Sequence, residues 1–262
     1  MEIKISSGVV SYRKTGNGDR NIVLFHGFRQ NHMAFDAILP ELEKKYTVYS
    51  FDLFFHGMST WEDQNPITPA NWKEIFSQFL TINAIKSFDM MAFSIGSRFL
   101  FTTLALFPSH VSRIFLIAPD GIQISSWYKT ATCSSVSRKF FKYVLNSPKV
   151  FANIAKFASS LKLVDPLTVR LIERQLQSAQ NRTLVYNTWV LFRKLIVPLN
   201  QLVNTIEHHH IEVYMLVAQH DTIIPYDRIK PLKNALPNVQ VKQVDASHHQ
   251  LLRAEFLNLL PF

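Results

Sequence analysis

Ser94 stands where a strand-like run, Phe88-Asp89-Met90-Met91-Ala92-Phe93, gives way to a helical one that starts near Gly96 and reads Arg98-Phe99-Leu100-Phe101-Thr102-Thr103-Leu104. A serine at such a junction sits on a sharp turn, and the backbone folds back there only if its neighbours are small. Ala92 and Gly96 are those neighbours, with alanine where glycine is more usual. The turn exposes the hydroxyl and aims the first amides of the helix at it, which favours negative charge as it develops. A serine hydroxyl is a weak nucleophile near neutral pH, so chemistry at Ser94 requires a base to take its proton and an acid to orient that base.

Other reactive side chains are less promising. The run His208-His209-His210 suggests a transition-metal site. Adjacent residues point different ways, however, and no acid or thiol stands at ligand spacing, so no metal is expected and the run reads as a solvated entry to a strand. The single cysteine, Cys133, has no partner for an intrachain disulfide and is expected to be a small buried hydrophobe in a reducing compartment.

These residues need a scaffold. Short apolar or β-branched runs at 21–25, 47–53, 88–93, 113–118, 212–218 and 239–244 predict strands. Apolar residues at three- and four-residue spacing predict helices over 33–45, 71–87, 96–107, 226–235 and 250–259. Strand alternating with helix implies a mostly parallel sheet, with an antiparallel hairpin (2–5 and 9–13) on its edge. The alternation stops from about Ser125 to Ile206, where only helical stretches are found, among them 148–163 after Ser147-Pro148 and the run after Asp165-Pro166. The expected organisation is a catalytic domain of residues 1–121 and 211–262, with residues 122–210 inserted as an all-helical lid at the carboxyl edge of the sheet.

Charge separates the same two parts. Between Ile122 and His210 there are twelve Lys or Arg against three acids, which accounts for the whole net charge of +9; the remaining 16 bases and 16 acids cancel. Such a segment raises the local concentration of anionic partners, either an acidic substrate or an anionic lipid surface. In 148–163, Val150, Phe151, Ile154, Phe157, Ala158 and Leu161 share one helical face with lysines at its margins. Packing on the sheet domain is the expected use of that face, and peripheral membrane contact the lesser one. No apolar run reaches the ~18 residues that span a bilayer, and the first residues lack a secretory pattern, so a cytoplasmic protein is expected.

The sequence resembles the α/β-hydrolase family over nearly its whole length. His26-Gly27-Phe28 is similar to the family's H-G-x element, Asp52-Leu53-Phe54-Phe55-His56-Gly57-Met58-Ser59 to its D-x-x-G-x-G-x-S loop, and the helix after Ser94 and FPSHVSRIFLIAP also fit. The resemblance implies Ser94 as nucleophile and the backbone amides of Phe28 and Ile95 as the oxyanion hole. It implies Asp221 as the acid, from Gln219-His220-Asp221 and Pro225 four residues on, with Asp120 the alternative that some relatives use. It implies His248 as the base, because Leu252 lies four residues beyond it, whereas His249 would put Arg253 there. His26, His56 and His220 are expected to shape loops near the site.

The implied activity is that of a serine hydrolase, carboxylesterase-like, acting on a small-molecule ester or related acyl substrate through an acyl-enzyme, without cofactor or metal and without a nucleic-acid partner. Thioester or carbon–carbon hydrolysis and acyl transfer use the same residues. Two other classes stand beside it. Ser94-Ile95-Gly96-Ser97-Arg98 resembles the serine-to-arginine stretch of the menaquinone-pathway lyase that works by proton abstraction, where the arginine holds an anionic substrate. A non-catalytic binder on the same fold is the other.

Overall fold

A computed structural model of the chain describes residues 1–147, 149–154, 176 and 178–262. They fall into two compact units: Met1–Asp63, Ile67–Gln123 and Leu195–Phe262 form the first, Gln64–Pro66 and Ile124–Lys194 the second. The stretches expected to be helical over 155–163 and after Asp165-Pro166, as well as Pro148 itself, lie outside the described residues.

The first unit is built on one nine-stranded sheet: β1 (Glu2–Ile5), β2 (Gly8–Thr15), β3 (Arg20–Phe25), β4 (Tyr46–Phe51), β5 (Thr60–Trp61), β6 (Phe88–Phe93), β7 (Val111–Ile117), β8 (Glu212–Ala218) and β9 (Gln240–Val244). Its order is β1-β2-β4-β3-β6-β7-β8-β9, with β5 paired to β2. β1, β2 and β5 pair antiparallel; from β4 to β9 the path is parallel. Parallel neighbours require crossovers, which place helices on both faces and bury the central strands on both sides. β6 is accordingly buried at every residue, whereas the edge strand β9 is exposed or half-buried throughout. This is the mostly parallel α/β sheet with flanking helices that the sequence predicts.

The helices of this unit are α1 (Leu39–Leu42), α2 (Pro69–Ile82), α3 (Gly96–Leu106), α7 (Leu199–His208), α8 (Tyr226–Ala235) and α9 (Ala254–Leu257). α2 starts at a capping box in which Thr68 and Asn71 satisfy one another's backbone N–H groups, with Pro69 at a position that needs no donor. It packs with α3 over an aromatic layer. Trp72 meets Phe99 edge-on at 5.0 Å and Phe25 at 6.0 Å, while its Nε1 donates to Thr103 Oγ1 at 2.7 Å. Alternate strand residues Leu24, Val48, Met91, Phe93 and Ile117 point into the second core, against Phe35, Leu251 and Leu257.

The second unit contains α4 (Ser126–Cys133), α5 (Ser135–Asn146) and α6 (Ala179–Leu191). Ser134 and Ser137 cap the start of α5, and Arg138 Nη1 donates to the last carbonyls of α4, Thr132 at 3.1 Å and Cys133 at 3.2 Å. α5 packs on α6 by stacking Phe141 on Trp189 at 5.4 Å.

Three expected helices differ in extent. Residues 32–42 form a 3-10 turn (His32–Ile38) and the short α1, because Pro40 cannot donate a hydrogen bond and restarts the helix there. α2 stops at Ile82, where Asn83 ends the helix and Ala84 takes φ 52°. At the end of the chain a 3-10 turn (His248–Leu252) is separated from α9 by extended Arg253. Cys133 is exposed, since it falls at the α4–α5 junction rather than on an inward face. Among the described residues no helix is long and apolar enough to cross a membrane.

At the strand beginnings, four polar contacts converge on Asp89. Its Oδ2 accepts from Tyr46 Oη at 2.8 Å, Arg113 Nη2 at 3.0 Å, Arg113 Nε at 3.1 Å and Arg20 Nη2 at 3.1 Å. Arg113 also donates to the Pro261 carbonyl at 3.1 Å, tying the chain end to β6 and β7. Removing one partner of a buried ion pair leaves the other charge uncompensated. Asp89→Ala is therefore expected to lower the unfolding free energy by about 3–5 kcal/mol, read from urea midpoints at unchanged slope; a loss under about 1 kcal/mol would show that the cluster is a solvated surface pair in its effect.

Candidate active site

β3, β6, β8 and β9 run parallel, so the residues that follow them emerge at one edge of the sheet. Phe28 follows β3, Ser94 follows β6, Asp221 follows β8 and His248 follows β9. Parallel topology thus gathers side chains that are more than 150 residues apart in sequence.

Ser94 has φ 51°, a left-handed conformation that costs a non-glycine residue roughly 1–3 kcal/mol. Three hydrogen bonds hold it. Its N–H donates to the Ile117 carbonyl at 2.9 Å, and its carbonyl accepts from the N–H groups of Asp120 at 3.1 Å and of Ser97 at 3.0 Å, in the first turn of α3 after its N-cap Ile95. Gly96 is required by the space: a Cβ there would lie 2.4 Å from the Phe25 carbonyl oxygen and 2.6 Å from that of His26.

His248 and Asp221 meet directly. The ring Nδ1 lies 2.6 Å from Asp221 Oδ2, and both side chains are almost wholly buried. A carboxylate can only accept, so Nδ1 carries the proton and Nε2 is left as the basic nitrogen. The other Asp221 oxygen accepts from the Ile223 and Ile224 N–H groups at 2.8 and 2.7 Å, which fixes the carboxylate in the loop. The His248 ring packs 4.8 Å from the ring of Phe93, the residue before Ser94. Among the described residues no hydrogen bond joins the Ser94 hydroxyl to His248. His249 is exposed and has no carboxylate contact of this kind; burial of part of its ring and the neighbouring His248 lower its pKa.

The turn after β3 presents Phe28. Gly27 N–H donates to Gln30 Oε1 at 2.8 Å, and Gln30 N–H returns to the Gly27 carbonyl at 3.3 Å. Among the described residues neither the Phe28 nor the Ile95 N–H finds an acceptor. Gln30 is a residue that sequence reasoning missed; its only signal is its place three residues after the glycine.

Two loops are braced by buried histidines. His26 accepts from Leu53 N–H at 3.0 Å through Nε2, so its proton is on Nδ1, which faces the Gly27 carbonyl at 2.7 Å. Burial first, then the nearby His56, push its pKa down to about 3. His56 turns Nδ1 toward the Phe54 carbonyl at 2.9 Å, and burial lowers its pKa as well. Asp52 anchors the same loop, accepting from the His32 N–H at 2.7 Å and the Met58 N–H at 3.0 Å. His220 behaves otherwise: it is exposed and pairs with Asp245 at the surface.

The alternatives weighed from sequence also have definite places. Asp120 lies 2.7 Å from the Nε of buried Arg98 and pairs with it, whereas the carboxylate that meets His248 is that of Asp221. The rings of His208 and His209 stand edge to face at 4.9 Å, and among the described residues no group of three or more His, Cys, Asp or Glu is placed to hold a metal.

A sequence profile of the alpha/beta hydrolase fold matches residues 20–252. Comparison with curated protein sequences finds no match. Among solved structures the chain is similar to a thermophilic esterase from Thermogutta terrifontis, at 16% identity and TM-score 0.69 over 99% of this chain and 97% of that one. It is also similar to a carboxylesterase of Nitrososphaera gargenis (16%, TM-score 0.70, 99% and 96%) and to the enol-lactonase from Burkholderia xenovorans (15%, TM-score 0.68, 99% and 97%). At these identities the likeness is one of fold.

The histidines set an acid limit. A group whose folded pKa lies below its unfolded value of about 6.5 takes up a proton on unfolding. For His26 the stability is complete above pH 6.5 and is lost as the pH falls toward about 3, at about 1.4 kcal/mol per pH unit. In His26→Gln, which cannot titrate but can accept the Leu53 N–H, unfolding free energy plotted between about pH 6 and 4 should fall less steeply by that amount. Equal slopes would mean that His26 is charged in the folded protein.

Proposed function

We propose that this chain, which belongs to the α/β-hydrolase fold family, is a serine hydrolase of carboxylic esters or related acyl compounds, with Ser94 as nucleophile, His248 as general base and Asp221 as the acid that orients it. The observation that carries the reading is the buried His248–Asp221 pair at 2.6 Å, at the same sheet edge as the strained Ser94 turn. A pair of this kind fixes the tautomer with a free Nε2, which is what a hydroxyl nucleophile requires.

In this reading Nε2 removes the Ser94 proton as Oγ attacks the carbonyl carbon. The oxyanion that forms takes the unpaired N–H groups of Phe28 and Ile95. His248 returns the proton to the leaving alcohol, and the acyl group remains on Ser94. Water, deprotonated by the same nitrogen, then opens the acyl-enzyme and releases the acid. In free enzymes the serine–histidine bond is often long and tightens only with substrate bound. The names of the similar structures, an esterase, a carboxylesterase and a lactonase, support an ester-type bond as substrate. The Arg98 Nε–Asp120 contact supports a structural use of that arginine over the anion-holding one of the lyase reading.

Triad members act as a unit, so Ser94→Ala and His248→Ala should each lower kcat by ~10⁴-fold or more on short-chain p-nitrophenyl esters, and the double variant little further. His249→Ala should stay active. A fluorophosphonate should label the native chain and not Ser94→Ala. If His249→Ala is the inactive variant, or the probe labels neither protein, the assignment is wrong.

A further inference from the structure

α5 presents an apolar face that is exposed and, among the described residues, has nothing packed on it. Val136, Phe140 and Tyr143, spaced four and three residues apart, share one side of the helix and are 75%, 59% and 57% exposed. The other side is used for packing: Val144 and Leu145 are buried, and Phe141 stacks on Trp189. An aromatic stripe so exposed is unusual on a soluble helix and marks a surface that meets something.

Charge indicates what it meets. Lys139 lies on the helix next to the stripe, Lys142 follows one turn on with its Nζ 5.3 Å from the centre of the Tyr186 ring, and Lys129 and Lys149 flank α5 in sequence; all four are exposed, and none pairs with an acid among the described residues. They belong to the segment that holds the chain's whole excess of positive charge. A second copy of the chain would bring these lysines against their equivalents, which repel. A nucleic acid would satisfy the lysines and leave Val136 and Phe140 in water. A bilayer surface with anionic headgroups accommodates both, taking the apolar stripe at the acyl boundary and the ammonium groups at the phosphates.

We propose that α5 is a peripheral membrane-docking helix for anionic phospholipid surfaces, in which Val136, Phe140 and Tyr143 insert and Lys139 and Lys142 supply the electrostatic attraction. The proposal does not depend on the ester reading, and soluble-ester turnover is a separate measurement.

Flotation of the full chain with phosphatidylcholine vesicles, alone or with about 30% phosphatidylserine, tests it. The anionic vesicles should carry at least ~10-fold more protein at 0.1 M salt, with most of that gain lost at 1 M as screening shortens to ~3 Å. Phe140→Ser with Tyr143→Ser should abolish capture, Lys139→Glu with Lys142→Glu should remove the preference for anionic lipid, and both proteins should keep the native melting temperature and soluble-ester activity. Failure of the anionic vesicles to capture the native chain overturns the proposal. So does capture that is indifferent to the loss of Phe140 and Tyr143, a dimer on gel filtration that these changes convert to monomer, or binding to single-stranded DNA that competes with the vesicles.

Discussion

Helix α3 can start where it does only because residue 96 has no side chain. A Cβ there would be driven to within 2.4 Å of the Phe25 carbonyl oxygen, so the first turn of α3 would be pushed off the end of β3. That contact brings the start of α3 against the ends of β3 and β6, and Ser94 is bent into a left-handed conformation between them. Everything else at this edge is arranged around that close approach. The strain at Ser94 is held by hydrogen bonds to Ile117 and Asp120, residues at and beyond the end of the neighbouring strand β7. A turn over-determined in this way keeps Ser94 in its strained backbone conformation.

The loops facing the turn are fixed by a different means. Asp52, with its side chain fully buried, accepts from backbone groups on two sides, while His26 bridges the end of β3 to the loop after β4 as a neutral ring. Gly57 stands against the Asp52 carboxylate, where a Cβ would be 2.1 Å from it. A charged His26 in that interior would lack a partner for its second N–H, since Leu53 already donates to it, and burial therefore keeps it unprotonated. The motif residues on either side of the site thus have structural work that differs from the chemistry proposed for Ser94.

Much of this was legible in the sequence because it depends on local rules. Short continuous apolar runs identify β3, β6, β7 and β8, small residues around Ser94 identify the turn, and the family resemblance, through Leu252 four residues on, favours His248, which is the histidine that meets Asp221. What was not legible has no signature in periodicity. Gln30 closes its turn onto Gly27 through a single side chain three residues on, and Asp89 draws together Tyr46, Arg20 and Arg113 from distant parts of the chain. Helix ends differ for another reason. The apolar pattern over 33–45 and 250–259 reflects burial against the core, which 3-10 turns satisfy as well as α-helix does, and Pro40 and Arg253 decide the geometry. Cys133 was misjudged because a small thiol at a helix junction follows the junction, not its own hydrophobicity.

The two edges of the sheet carry different polar groups. At the strand beginnings, Asp89 receives bonds from three side chains and Arg113 gives a further donor to the Pro261 carbonyl. At the strand ends, the N–H groups of Phe28 and Ile95 have no acceptor among the described residues, and the buried Nε2 of His56 has no partner. A buried polar group without a partner destabilises a fold by about 1–3 kcal/mol, and His56 Nε2 is one such group in the loop after β4. The cost is borne where Ser94 is already strained and where the His248–Asp221 pair is already removed from water. In the acyl transfer proposed here, donors that have no acceptor among the described residues need not reorganise when negative charge appears in front of them, and such preorganisation is usually the largest single contribution to catalysis of that kind.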